Sequence, residues 1–435
     1  MSPSVTDSSS AARPLPDSKS PSLALVHPTS EEKQSILRQN GASWRGPLSL
    51  PSYLQREEIL YNEALTRDGG ITHWVLVDTA EPGDARRILA SCESIRKQSF
   101  VAIASDQGKG RQVDKVLSHG VGSVFCDPHF RGRGYAGRMM KELGNALRTW
   151  QIEENTEGRQ RCLFSVLYSD IGKKFYASYG WHPFPSSHIA LPVPDGQTTP
   201  NPPVPSSRAI YARDLPELCR ADQDLLRRDL ASHISDRRIL VAIIPDAETM
   251  RWHHAREDFV GRCILNKSPE VKGAIIGNKV GSRAWCIWTR VWSDDINSKD
   301  SDNKLFILRL VVEGDNAAAR VIETGANATV SREVDANDKR QREMITSLLL
   351  AAQAEAAQWA LKEVHMWNPT RMALLATQQA WNLSFPHSST KAAEVVDRDI
   401  DSITSLMWYG NKNEEIDPHK RSDVEWIGNE KYAWC

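Results

Sequence analysis

Apolar residues along the chain fall into short blocks whose spacing alternates between two and three to four, and the changes of spacing lay out the elements. Residues 23–27 form a short apolar run that predicts a first strand, closed by Pro28. Thr29-Ser30-Glu31-Glu32 places a hydroxyl before carboxylates, a helix start. Apolar and aromatic residues at helical spacing predict a second helix over 51–65. Three strand-like runs follow, 73–78, 87–95 and 116–126, with a charged, Gly-containing loop at 105–115 before the last. A helix over 133–151 and a buried-type strand over 161–168 come next. Ser169 is placed to cap a further helix that Gly180 ends, and 181–191 reads as a final strand.

Residues 192–207 hold five prolines beyond Pro192 and no period, which reads as a stiff, exposed linker. Beyond it the pattern predicts a helix at 214–232 and strands at 238–244, 271–276, 284–292 and 304–312. A polar loop at 314–338, a helix at 341–361, a strand at 363–367 and a helix at 370–381 complete the series. The gross order of the first half is thereby repeated.

Composition limits what such a chain can be. At 435 residues two or three domains are expected. A formal charge of −1 argues against a general nucleic-acid or membrane-surface partner, and no apolar run reaches bilayer length. The first residues are rich in Ser and Pro, carry no signal-peptide core and read as a disordered tail. Seven scattered cysteines without a Cys-x-x-Cys pair imply reduced thiols in a cytoplasmic protein and no metal site.

Chemistry concentrates between Val121 and Leu143. A short strand ends at Pro128, and Arg131-Gly132-Arg133-Gly134-Tyr135-Ala136 then opens a helix whose apolar face is Tyr135, Met139, Met140 and Leu143. Small residues at a helix N-terminus leave backbone N–H groups free for an anion, and two arginines add charge. The spacing is neither the triphosphate P-loop nor the dinucleotide Gly-x-Gly-x-x-Gly. It resembles the acetyl-CoA signature of the GNAT acetyltransferase superfamily, Arg/Gln-x-x-Gly-x-Gly/Ala, met as Arg131, Gly134 and Ala136. Residues 169–181 resemble the superfamily's second cofactor motif, with Phe175, Tyr176 and Gly180 matching, Ser169 in place of an Asn and Gly172 in place of an Ala.

The resemblance implies an α/β (α+β) fold: an N-terminal GNAT domain with a mixed central sheet and a C-terminal, degenerate GNAT-like repeat lacking the cofactor loop. The expected layout is a tail at 1–21, a catalytic acetyl-CoA-binding domain at 22–191, a linker at 192–207 and a second, substrate-closing domain at 208–435. It also implies that backbone at Val124, Phe125 and Cys126 pairs with the pantetheine arm. Gly132, Arg133, Gly134, Tyr135 and Ala136 would hold the pyrophosphate, with Arg131 at the entrance and Ser169 and Phe175 near the cofactor. Tyr176 matches the general acid for the leaving thiolate. The strand at 116–126 has no carboxylate, so the base is sought in Glu93, His129, a group from the second domain, or the α-carboxylate of Cys435. Cys126 reads as inert core rather than a nucleophile.

The whole chain, including its ending NEKYAWC, resembles the fungal lysine N6-acetyltransferases. That implies acetyl transfer from acetyl-CoA to the side-chain amine of free L-lysine in lysine catabolism. Two alternatives stay open, a protein or peptide N-acetyltransferase and a non-catalytic acyl-CoA-binding regulatory protein.

Overall fold

The computed structural model describes residues 14–83, 86–104, 110–152, 161–194, 204–233, 239–293, 295–296, 298, 301–314, 336–386, 395–410 and 423–434. Strand β1 (Leu23–Val26) leads into helices α1 (Ser30–Trp44) and α2 (Leu50–Tyr61). Thr29 and Glu32 form a reciprocal capping box on α1, and Ser49 caps α2, so hydroxyls satisfy first-turn N–H groups at both starts. Strands β2 (Ile71–Asp78), β3 (Ile88–Ala104) and β4 (Arg111–Phe125) form an antiparallel meander. Helix α3 (Tyr135–Leu147) follows, and β5 (Cys162–Ser169) returns parallel to β4. A single turn, α4 (Lys174–Ala177), precedes β6 (His182–Pro183) and β7 (Ser187–Pro192).

The second half opens with β8 (Arg208–Tyr211), α5 (Leu215–Ser232), β9 (Ile239–Ile243) and α6 (Ala247–Leu265). Strands β10 (Val271–Ile276), β11 (Ala284–Val291) and β12 (Lys304–Val312) lead to α7 (Ala336–Gln358) and β13 (Glu363–Trp367). Helix α8 (Arg371–Ser384) and strands β14 (Val395–Asp397), β15 (Ile403–Trp408) and β16 (Val424–Trp426) end the described elements.

One sheet runs β1-β2-β3-β4-β5-β15-β6 and the other β8-β10-β11-β12-β13-β7-β14. Position by position the two orders correspond, and the parallel pair β4–β5 is matched by the parallel pair β12–β13. The sixth position breaks the separation. There β15 from the second half lies between β5 and β6, and β7 from the first half lies between β13 and β14. Each half has given the other one strand. Strand β9 also joins the first sheet, pairing with β3 at Ser99–Ile103 beyond the point where β2 stops, and β16 runs parallel to β9.

Several expectations are corrected by these contacts. The single strand expected at 181–191 is two, shared between the sheets, so residues up to 191 do not complete a sheet of their own. Residues 111–115, expected as loop, belong to β4, because β3 runs on to Ala104 with β9 on its other edge. The helix expected from Ser169 begins only at Lys174 and is not capped by a side chain. Helix α6 and strands β14 to β16 were not anticipated. The tail expected through residue 21 is held in place where it is described. Leu15 packs into the cluster under α3, and the Tyr135 hydroxyl donates to the Pro16 carbonyl at 2.5 Å.

Packing follows the exchange. Val101, Val116 and Phe164 from the first sheet share one buried cluster with Ile275, Trp285 and Leu308 from the second. On the opposite face of the first sheet, Met139, Met140 and Leu143 of α3 pack against Trp74, Leu76 and Leu117. Beneath α6 lies a buried charge network. Glu257 accepts from Arg290 Nη1 at 2.9 Å and from Lys272 Nζ at 2.8 Å, and Arg290 Nη2 reaches Glu355 at 2.5 Å. Removing one member strands the others in a low-dielectric interior. Glu257→Ala is expected to lower stability by about 3–5 kcal/mol, read from urea unfolding.

Candidate active site

The site starts where two strands part. Strands β4 and β5 pair only as far as Val121 and Leu167. Beyond that point β5 continues with β15 as far as Ser169, while β4 continues with β3 to Phe125. Among the described residues Gly122 to Phe125 have no strand partner on the side facing β5. Val124 and Phe125 lie on that open edge and Cys126 follows it. The β3–β4 register shifts between Ser91 and Glu93, leaving an extra residue on β4, and Ser123 within this bulge is held at φ +50°. A non-glycine residue in the left-handed region is a strained conformation of the kind that clusters at functional sites.

The Arg131–Ala136 loop follows from the same end of β4. Asp127 caps a 3-10 turn at Pro128–Phe130, and Arg131 Nε donates to the Cys126 carbonyl at 3.0 Å. Gly132 and Gly134 have φ of +76° and +84°, which a side chain would strain. Gly134 is the N-cap of α3 and supplies no side-chain bond, so the first N–H groups are left to other partners. Arg133 is exposed, Ala136 half-buried, and Tyr135 turns its ring into the core. A second requirement for a small residue was missed in the sequence. A Cβ added at Gly137 would stand 1.9 Å from the Tyr179 hydroxyl, because that ring lies on the first turn of α3.

On the second cofactor motif, Phe175 makes edge contacts with Tyr176 and Tyr179 at 5.0 and 5.3 Å between centroids. Tyr176 is buried in the cluster under α3 with Cys92 and Val121, and burial pushes its phenol up. Ser169 is buried, and its hydroxyl donates to the Gly172 carbonyl at 2.7 Å and accepts from Ile171 N–H at 3.3 Å. Its proton is therefore committed to the local turn. The Cys126 thiol is raised by burial and directed at the Leu89 carbonyl at 3.3 Å, an inert setting.

The opposite face of the first sheet carries a cavity of about 680 Å³ between α1, α2, β2, β3 and α6. Lys33, Glu57, Tyr61, His73, Glu93 and Trp252 are among its walls. Glu93 stands on β3 opposite the β4 bulge. It accepts a 2.6 Å hydrogen bond from the Ser123 hydroxyl, and its other oxygen lies 3.6 Å from His73 Nδ1. Burial pushes the Glu93 carboxyl up to about 7, with the Ser123 bond and Lys33 acting the other way. Burial and the charge of Lys33 push His73 down to about 4. His73 is therefore neutral near pH 7, and its approach to Glu93 is not an ion pair. His129, the other histidine considered, is exposed and bonded to Asp127 at 2.7 Å.

Glu93 and Tyr176 thus stand on opposite faces of β3. Glu93 pairs in register with His73 toward the cavity, while the adjacent Cys92 pairs with Trp74 toward α3 and Tyr176. The chain end approaches the same cavity. Trp434 packs on Trp252 at 6.5 Å between centroids, and the Tyr432 carbonyl bonds His253 Nε2 at 3.0 Å. Cys435 itself lies outside the described residues.

The second half has the corresponding cleft, narrowed to a pocket of about 100 Å³. Strands β12 and β13 part after Ile307 and Met366. Beyond that point Arg309 makes a two-pronged contact with Asp222 at 2.7 and 2.8 Å and also pairs with Glu430. Glu430 accepts the Leu310 N–H at 3.0 Å.

The family described as "LYC1 GNAT-like C-terminal domain" matches residues 188–435. A protein of Yarrowia lipolytica named lysine acetyltransferase is 24% identical over 282 residues, covering 58% of this chain and 68% of its own. A Saccharomyces cerevisiae protein described as uncharacterized is 26% identical over 170 residues, 35% of this chain and 41% of its own. Among solved structures, a GCN5-related N-acetyltransferase of Anabaena variabilis gives a TM-score of 0.47 at 12% identity, covering 89% of this chain and 72% of its own. A probable N-acyltransferase of Enterococcus faecalis gives 0.45 at 14%, with the same coverage. Both superpositions are loose. With a match that takes in more than half of its length, the chain belongs to the LYC1-like family of GNAT acetyltransferases.

Proposed function

We propose that the protein moves acetyl from acetyl-CoA to a small amine, the side-chain amine of free L-lysine, by direct attack in a ternary complex. The observation that carries the reading is the position of Glu93. It lines the 680 Å³ cavity and is hydrogen-bonded to the β4 bulge at the point where β4 and β5 part. An amine in the cavity therefore has a carboxylate beside it, next to the strand edge suited to an acyl carrier.

Acetyl-CoA supplies the activated acyl group. In this reading the uncapped start of α3 and the backbone of Gly132, Arg133, Gly134, Tyr135 and Ala136 hold its pyrophosphate, with Arg131 at the entrance. The open edge at Val124, Phe125 and Cys126 takes the pantetheine arm, with Phe175 nearby. Glu93 takes a proton from the substrate ammonium, directly or through water, so that the free amine forms the C–N bond to the acetyl carbonyl as its C–S bond breaks, and a pKa near 7 suits that task. Tyr176, on the other face of the sheet, gives a proton to the departing thiolate. The name of the Yarrowia lipolytica relative supports lysine as the acceptor; a cytoplasmic step in lysine catabolism is part of the proposal and rests on the sequence resemblance.

Thiol release from acetyl-CoA, measured against a panel of free amino acids, polyamines and lysine-containing peptides, tests the reaction. Release with L-lysine and not with peptides is the expected result. Silence across the panel, with acetyl-CoA still bound, removes the reading in favour of a binding role. A base works deprotonated, so turnover should fall as pH drops below about 7. Glu93→Gln should abolish that inflection and cost about 10²–10⁴ in kcat, whereas deleting Cys435 should leave both in place. Stopped assays of Tyr176→Phe should show a loss of roughly 100-fold in kcat with KM for L-lysine little changed.

A further inference from the structure

One charge in the cavity has no part in the transfer chemistry above. Lys33, in the first turn of α1, lines the wall with Glu57, Glu58 and Glu93. Its ammonium sits 3.4 Å from the centroid of the Tyr61 ring, and Tyr61 stacks in turn on His73. Among the described residues no carboxylate lies within ion-pair distance of it. Three of the nearby acids have other partners: Glu32 holds Arg86, Glu57 holds Arg56, and Glu93 accepts from Ser123. Burial lowers the Lys33 pKa while Glu93 acts to raise it. A half-buried cation with only an aromatic face for company is costly to keep, and cation–π attraction offsets part of that cost. A carboxylate on a bound molecule would complete the pairing. A diamine without that carboxylate would bring Lys33 an uncompensated ammonium of like charge.

We propose that Lys33 is the residue that selects the acceptor, binding its carboxylate and repelling diamines whose second ammonium has no carboxylate beside it. The inference rests on the acetyl-transfer reading of the cavity. Selectivity then comes from an attractive and a repulsive contact at one side chain.

L-Lysine and cadaverine (1,5-diaminopentane) share the aminoalkyl chain and differ by the carboxylate, so their ratio of kcat/KM isolates this contact. Wild type should prefer L-lysine. K33M should shrink the preference by roughly 10- to 100-fold, chiefly through KM for L-lysine, and K33R should keep most of it. Equal losses on the two amines, or a wild type without preference, overturn the assignment. Calorimetric titration of L-lysine into the full chain without acetyl-CoA reads the same contact independently of turnover. Binding that K33M weakens by a similar factor, with no thiol release from any variant, supports Lys33 and removes the transfer reading. Equal binding to wild type and K33M overturns the role of Lys33 whatever the turnover.

Discussion

Neither sheet of this protein is completed by its own half of the chain. A strand edge left open exposes a row of N–H and C=O groups that must find partners. Here the sixth place in each sheet is taken by the other half's strand, β15 beside β5 and β7 beside β13. The exchange is reciprocal, so opening it costs both sheets their ladders at once. Strand β9 adds a third crossing on β3. These pairings bring α6 against α2, and Trp252 of α6 becomes a wall of the cavity that Glu93 lines. The cavity is a product of both halves.

The same topology occurs twice, and its two clefts have different fates. In the first half, glycines at positive φ and an uncapped helix start leave backbone donors exposed at the mouth of the opening. In the second, Arg309 and its two carboxylates narrow the space where β12 and β13 separate to a pocket of about 100 Å³, and Glu430 occupies the Leu310 N–H. The segment that supplies Glu430 then runs on toward the cavity. Its Lys431 ammonium lies within 4.3 Å of the Trp367 ring centroid and 4.0 Å of that of Trp434, which itself packs on Trp252. One strip of chain narrows one cleft and packs against the wall of the cavity beside the other.

Burial governs the charges in the cavity more than any single ion pair. It is the largest influence on Glu93, His73 and Lys33 alike, raising the first and lowering the other two. Each shift disfavours the charged form, as expected where water is partly excluded. The outcome near pH 7 is a neutral imidazole, a carboxyl close to half-ionised and a cation in need of a partner. Removing a proton from a substrate amine is easier for a carboxylate tuned in this way than for an exposed one.

Much of this was written locally. The capping box at Thr29, the Gly132 and Gly134 turn and the apolar face of Met139, Met140 and Leu143 are short-range patterns, and they foretold α1, the loop and α3. They also carried the family resemblance, and Glu93 stood among the candidate bases. Other features depended on partners far away in sequence. Residues 181–191 read as one strand because alternation alone cannot say which sheet will take it. Residues 111–115 read as loop because their charges hide a ladder with β3. Helix α6 escaped notice because its buried face mixes Trp252 with His253, His254 and Glu257, whose partners are the Tyr432 and Trp288 carbonyls and the Lys272 and Arg290 cations. The need for a small residue at 137 and the isolation of Lys33 are likewise properties of neighbours brought together by folding. Local sequence set the elements and the cofactor-type loop; long-range pairing set which strand closes which sheet, and so where the cavity lies.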